Sequence, residues 1–182
     1  MEFRATTIPD VKIVSLIVFD DDRGFFMESF KEDLFSAAGI TGPFVQDNHT
    51  RSKLGVLRGL HYQIRQPQGK LVRVAAGKIF DVAVDLRRSS ATFGRWVGEI
   101  LSEENKLQIW VPKGFAHGFY VLSEWAEVLY KASDYYSPES ERTLLWNDPD
   151  LAIEWPLLNG QPPILSGKDA SGKRLSEAEL FA

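Results

Sequence analysis

Cysteine is missing from the sequence altogether, so no disulfide framework, thiol nucleophile or thiolate metal site can be built from it. Histidine is scarce: His49, His61 and His117 are the only three. No apolar run approaches the length of a membrane span, and Met1 to Pro9 holds no apolar stretch of the secretory-leader kind. The expectation is a soluble, cytoplasmic protein with no membrane partner. An excess of positive charge is missing too. Lys and Arg number 21 against 25 Asp and Glu, a net charge of −4, whereas a reader of phosphate backbones needs the opposite balance. Nucleic acid is therefore not an expected partner. A small anion, which needs only a local cluster of cations, is not excluded.

What is present belongs to an ordinary globular chain. Hydrophobic residues make up 44% and charged residues 25%, which places the sequence outside the disordered classes. Its 182 residues suffice for one core, read as a single domain over 1–182. Val11 to Phe19 is rich in β-branched residues and reads as a strand. Glu32 to Ala38 is a helix candidate that stops at Gly39, and Phe44 to Asn48 is a strand ending in polar residues. From Val56 onward short strands follow one another: Lys70 to Ala76, Lys78 to Leu86, Gly94 to Leu101, Leu107 to Val111, Phe119 to Leu122 and Ala126 to Ser133. Such a run predicts an all-β sandwich or barrel, the double-sheet jelly roll among the options. The segments around Trp146-Asn147-Asp148-Pro149 and Trp155-Pro156 read as loops, and Ser176-x-x-Glu179 predicts a short last helix over Ser176 to Phe181.

The stretch Val56 to Leu86 organises the rest. It places Arg58, His61 and Lys70 on two neighbouring strands, then alternates through Phe80, Val82, Val84 and Leu86, which leaves Asp81 and Asp85 for the opposite, solvated face. Charges next to so much apolar β-structure need a partner or a ligand. Taken singly, each is more often an edge charge or a core residue with its hydrogen bonds met. A metal centre of the cupin kind asks for His-x-His, and the place reads His61-Tyr62-Gln63, although Pro112-Lys113-Gly114-Phe115-Ala116-His117 keeps the second half of that pattern. No metal is expected. His61 is then a candidate general base, and Tyr130, on an apolar strand face with Val128 and Ala132, is either packing or a complementary acid.

These residues resemble the dTDP-4-dehydrorhamnose 3,5-epimerase family. The resemblance is carried by Asp22-Arg23-Gly24-Phe25-Phe26 with Glu28, by Phe44-Val45-Gln46-Asp47-Asn48-His49, and by Val56-Leu57-Arg58-Gly59-Leu60-His61-Tyr62-Gln63. It continues through Gln68 to Arg73, Asp81 to Asp85, Thr92-Phe93-Gly94, Pro112 to Phe119, Tyr130-Lys131, Tyr135 to Pro138, Trp146 to Pro149 and Leu165-Ser166-Gly167-Lys168-Asp169. It implies a cupin-like jelly roll (double-stranded β-helix) with a few short helices mainly near the C-terminus, acting as a homodimer on a dTDP-4-dehydro-6-deoxysugar without cofactor or metal. By the same resemblance His61 is the base, Asp169 its dyad partner, Tyr130 the acid on the other face of the sugar, and Lys70 the enolate's counter-charge. Arg23, Phe26, Glu28, Gln46, Asn48, Arg58, Lys70, His117, Glu141 and Lys168 match substrate-binding positions, with Tyr136 stacking on the thymine. An enzyme that inverts C3 alone, or a 3,5-epimerase serving a sugar other than rhamnose, would share this whole set. A metal-dependent cupin and a non-catalytic binding module fit it less well.

Overall fold

The computed structural model describes residues 1–182. The chain opens with β1 (Glu2–Ala5), β2 (Lys12–Ser15), the hairpin of β3 (Val18–Asp21) and β4 (Gly24–Met27), and the helix α1 (Glu32–Ala37). Then come β5 (Gln46–Lys53), β6 (Leu57–Gln63), β7 (Lys70–Ala76), β8 (Lys78–Asp85), β9 (Trp96–Ser102), β10 (Gln108–Val111), β11 (Phe115–Val121) and β12 (Trp125–Ala132). β13 (Glu141–Thr143) and the one-turn helix α2 (Gly167–Ala170) lie in the C-terminal part. Two antiparallel sheets result, ordered β1-β2-β10-β7-β12-β5 and β13-β6-β11-β8-β9, with β3-β4 standing apart as a two-stranded ribbon. This is the all-β, double-sheet arrangement that the strand spacing predicts.

Alternation decides which side chains meet between the sheets. Val72 and Val74 of β7, Val128 of β12 and Ile109 of β10 face Ile79 and Ala83 of β8 and Phe115, Phe119 and Val121 of β11 in one buried cluster. The far side of the five-stranded sheet is buried as well. Val82, Val84, Leu86 and Tyr120 pack there against Leu144, Leu151, Trp155 and other apolar residues of the C-terminal tail. A third cluster, Val14, Leu71 and Trp110 under Phe35 and Ile40, seats α1 on the outer face of the larger sheet.

Several sequence expectations change here. Val11 to Phe19 is not one strand: β2 runs inside the larger sheet between β1 and β10, and β3 belongs to the projecting hairpin. Phe80, Val82 and Val84 face the tail, so Asp81 and Asp85 point the other way yet are fully buried, because neither face of β8 meets solvent. β6 and β7 are neighbours in sequence only and lie in opposite sheets. The last helix shrinks to a single 3-10 turn at Leu175–Glu177. Glu179, instead of closing a capping box, takes Arg142 at 2.7 Å, and its carbonyl accepts Tyr62 Oη at 2.6 Å. Those contacts hold the segment extended.

Candidate active site

Strict alternation would point Arg58 and His61 to opposite faces of β6, since they stand three residues apart. A bulge prevents this. Against β11, Phe119 pairs with Arg58 and His117 with His61, and the register shifts between the two pairs, so Gly59 and Leu60 together face Gly118. Both polar side chains then turn inward, while Leu57, Leu60 and Tyr62 join the outer cluster. Gly59 permits the bulge. Its φ is +116°, and a Cβ there would stand 2.6 Å from Gly118 Cα.

The larger sheet supplies the facing wall. Lys70 of β7 lies level with Ala132 of β12 and Gln46 of β5, and the next inward row runs Val72, Tyr130, Asn48. Between the walls is a cleft of about 340 Å³, lined by Gln46, Asn48, Arg58, His61, Lys70, His117, Tyr130, Tyr136, Glu141 and Lys168. Ten of the expected residues therefore converge, with Asp169 behind His61. Arg23, Phe26 and Glu28 do not. They sit on the exposed β3-β4 ribbon and its exit, with Phe26 64% exposed and Arg23 paired to its neighbour Asp21.

His61 Nε2 lies 2.6 Å from Asp169 Oδ1, an ion-pair distance at which the oxygen is off the line of the ring N–H, so Nε2 makes no aligned hydrogen bond. Asp169, carried by α2, is buried. Burial alone would raise its carboxyl pKa. The contacts from His61, Ser166 Oγ and the Gly59 N–H outweigh burial and hold it well below the usual carboxylate range. A permanent negative charge thus backs the imidazole. The ring nitrogen that does not face Asp169 is left to meet a substrate.

Across the cleft the situation reverses. Burial lowers the Lys70 ammonium to about 8, only partly countered by Glu141 and Asp81. No carboxylate is in ion-pair contact with it, and its Nζ stands 6.0 Å from the Tyr130 ring centroid. Burial raises the Tyr130 hydroxyl, against the pull of Arg58, so the phenol keeps its proton at neutral pH. At the rim, Glu141 accepts from Lys168 Nζ at 2.7 Å and from Tyr136 Oη at 2.9 Å. These bonds outweigh burial and keep its carboxyl pKa low. Tyr136, half exposed, presents an open ring face.

Two supporting residues escaped the sequence reading. Asp81 receives His117 Nε2 at 2.9 and 3.0 Å, a second buried His–Asp contact directly beside His61. The signal was there: Asp81 shares its face with Ile79 and Ala83, so neither face of β8 was polar enough to be the wet one. Ser52 is the other, accepting Arg58 Nε at 2.8 Å. No group of three or more His, Asp or Glu side chains is disposed to hold a metal ion. The cleft can take a proton from one side of a bound molecule, offer one from the other, and meet a developing negative charge between them.

A family model described as dTDP-4-dehydrorhamnose 3,5-epimerase matches residues 5–177. The dTDP-4-dehydrorhamnose 3,5-epimerase of Pseudomonas aeruginosa is 59% identical over 182 residues, covering 100% of this chain and 99% of that one. The structure of a dTDP-6-deoxy-D-glucose-3,5-epimerase from Legionella pneumophila in complex with dTDP-4-keto-L-rhamnose superposes with a TM-score of 0.94 at 56% identity, covering 98% and 94% of the two chains. A 3′-monoepimerase of Streptomyces bikiniensis, solved with dTDP-quinovose, gives 0.88 at 32% identity, with 94% and 87% covered.

Proposed function

The chain belongs to the dTDP-4-dehydrorhamnose 3,5-epimerase family, and we propose that its cleft converts dTDP-4-dehydro-6-deoxy-D-glucose to dTDP-4-dehydro-L-rhamnose. The observation that carries this reading is the placement of an Asp-backed imidazole and a protonated phenol on opposite walls, with a lone ammonium among them. A 4-keto sugar has acidified C–H bonds at C3 and C5. Neutral His61 removes one such proton, and Asp169 stabilises the imidazolium that forms. The electron pair moves onto O4 as an enolate, and the Lys70 ammonium meets that charge, a contact of the oxyanion type. Tyr130 then gives its proton to the opposite face of the carbon, which inverts it. Proton exchange of both groups with water restores the site for the second carbon.

Binding follows the same division. Arg58, held by Ser52, suits a diphosphate oxygen, with His117, Gln46 and Asn48 along the same cleft and Tyr136 as the nucleobase platform. Arg23, Phe26 and Glu28 then belong to the site of a second copy. Ile17, Phe19, Phe25 and Phe26 leave a large apolar surface on and beside the β3-β4 ribbon, the kind that a homodimer covers. A chain without cysteine gains nothing from an oxidising compartment, which supports a cytoplasmic setting. No helix is long and apolar enough to cross a membrane.

Incubation in deuterated water with the 4-keto substrate and a 4-ketoreductase tests the reading. Deuterium at both C3 and C5 of the product, recovered as dTDP-rhamnose, is the expected result. Retention of the C5 proton would make the enzyme a 3-epimerase like its Streptomyces neighbour. No exchange at either carbon would reject epimerisation.

A further inference from the structure

We propose that Ser166 is a positioning residue of the His61–Asp169 dyad, its hydroxyl fixing which carboxylate oxygen is offered to the imidazole. This assignment rests on the epimerase reading above. Every polar contact of the Asp169 carboxylate can be named. Oδ1 takes the Gly59 N–H at 3.1 Å and faces His61 Nε2 at 2.6 Å, while Oδ2 takes the Ser166 hydroxyl at 2.6 Å. The same Ser166 oxygen accepts the backbone N–H of Asp169 at 3.2 Å. The hydroxyl thus grips one residue twice, at its backbone and at its carboxylate.

The physical need is specific. The last torsion of an aspartate sits in a broad, roughly two-fold well, so packing alone does not hold the plane of its carboxylate. The two oxygens are chemically equivalent until something distinguishes them, and here Ser166 and Gly59 each claim one. Because Oδ1 already lies off the line of the ring N–H, a further rotation would cost the imidazolium its partner. Ser166 also caps α2, so capping is the competing explanation. That helix, however, carries both Lys168, which lines the cleft, and Asp169 behind the base. Loss of the cap would disturb binding and chemistry together, whereas loss of the carboxylate contact would disturb chemistry alone.

Three variants separate the two roles, assayed beside the unaltered enzyme for deuterium uptake at C3 and C5. Ser166→Ala and Ser166→Gly remove the hydroxyl, and Gly is tolerated at helix N-caps, so the glycine variant decides if the alanine one does not fold. Ser166→Thr keeps the hydroxyl. Positioning requires kcat to fall roughly 10- to 100-fold in the Ala and Gly variants, the range for hydrogen bonds to charged groups, with KM unchanged. It also requires the acid limb of the kcat profile to move to lower pH, because an imidazolium without its counter-charge gives up its proton more readily, and threonine to restore both. A kcat within about threefold of the unaltered enzyme for Ser166→Gly, or a rise in KM that accounts for the whole loss, overturns it. Unaltered enzyme that exchanges no proton rejects the epimerase reading and this assignment with it.

Discussion

The two walls of the cleft solve opposite problems. The five-stranded sheet brings two imidazoles, and each is met by a buried carboxylate, His61 by Asp169 and His117 by Asp81. The six-stranded sheet brings an ammonium and a phenol and gives neither an ionic partner. The difference fits the roles proposed for these groups. A base that becomes cationic needs its counter-charge in place beforehand. A cation meant for an enolate is blunted by any carboxylate already attached to it, and burial without a partner keeps it available. The cost falls on the protein's stability, and the gain appears only when substrate charge develops.

The sharpest way to break this contrast is to remove the proposed base. His61→Asn should lower deuterium uptake at C3 and C5 by about 10³- to 10⁴-fold, toward the upper range for a positioned base, with the fold intact by circular dichroism. Uptake near that of the unaltered enzyme would move the base elsewhere. Asp169→Asn should be milder and act on kcat more than KM.

Tyr130→Phe breaks the other wall without touching the base. The phenyl ring keeps the packing with Val128 and Ala132, so proton exchange with solvent continues while epimerised product falls by about 10²-fold or more. Deuterium uptake and product yield measured on one sample decide it, and normal yield would remove Tyr130 as the acid.

Lys70→Met tests the cost and the gain together. Turnover should drop by about 10²-fold, as for loss of one oxyanion donor, and the variant should be more stable than the unaltered enzyme. Below about pH 8 both the folded and unfolded chains carry the Lys70 proton, and the folded one bears the full burden of burying it. Between about 8 and the ordinary 10.5 only the unfolded chain retains it. Stability of the unaltered enzyme therefore rises with pH across that window. The gain is about 2 kcal/mol, discounted because Lys70 keeps some contact with water. The methionine variant should lack that rise in urea melts at pH 7 and pH 10. In the unaltered enzyme kcat/KM should fall above about pH 8, as the ammonium loses its proton.

The smallest effect sharpens the comparison within one wall. Asp81→Asn should raise KM by roughly tenfold and leave kcat close to normal, the size of one weakened charge-assisted hydrogen bond, because His117 is read as a binding residue. A fall in kcat at constant KM would place the second His–Asp contact in the chemistry.

Much of this was legible in the residues. Short alternating strands gave the double sheet, and the polar residues set into them marked the cleft. Pairing between distant strands was not legible, because alternation says which side chains share a face and nothing about which strand lies beside it. Hence β6 and β7 looked like neighbours although they face each other across the cleft. The bulge at Gly59 was equally hidden, since period-two reasoning sends Arg58 and His61 to opposite sides. The capping signal at Ser176 was real but local, and the contacts of Glu179 with Arg142 and Tyr62 overrode it. Arg23, Phe26 and Glu28 were matched by resemblance, and no face of their own chain explains them.

The carboxylate behind the His61 imidazole rides on the tail that clothes the five-stranded sheet, far along the chain from the strand bearing that imidazole. Chains are made from the N-terminus, at about 5–20 residues per second. A nascent molecule therefore completes its larger sheet at Ala132 and its smaller one at Thr143 while Asp169 is still to come. Such a molecule holds an imidazole with no counter-charge and a sheet with one bare apolar side. Covering that side and setting a carboxylate behind the imidazole are one event. On the proposed mechanism, a copy whose tail fails to dock is silent as a catalyst and, by its exposed apolar face, conspicuous to quality control.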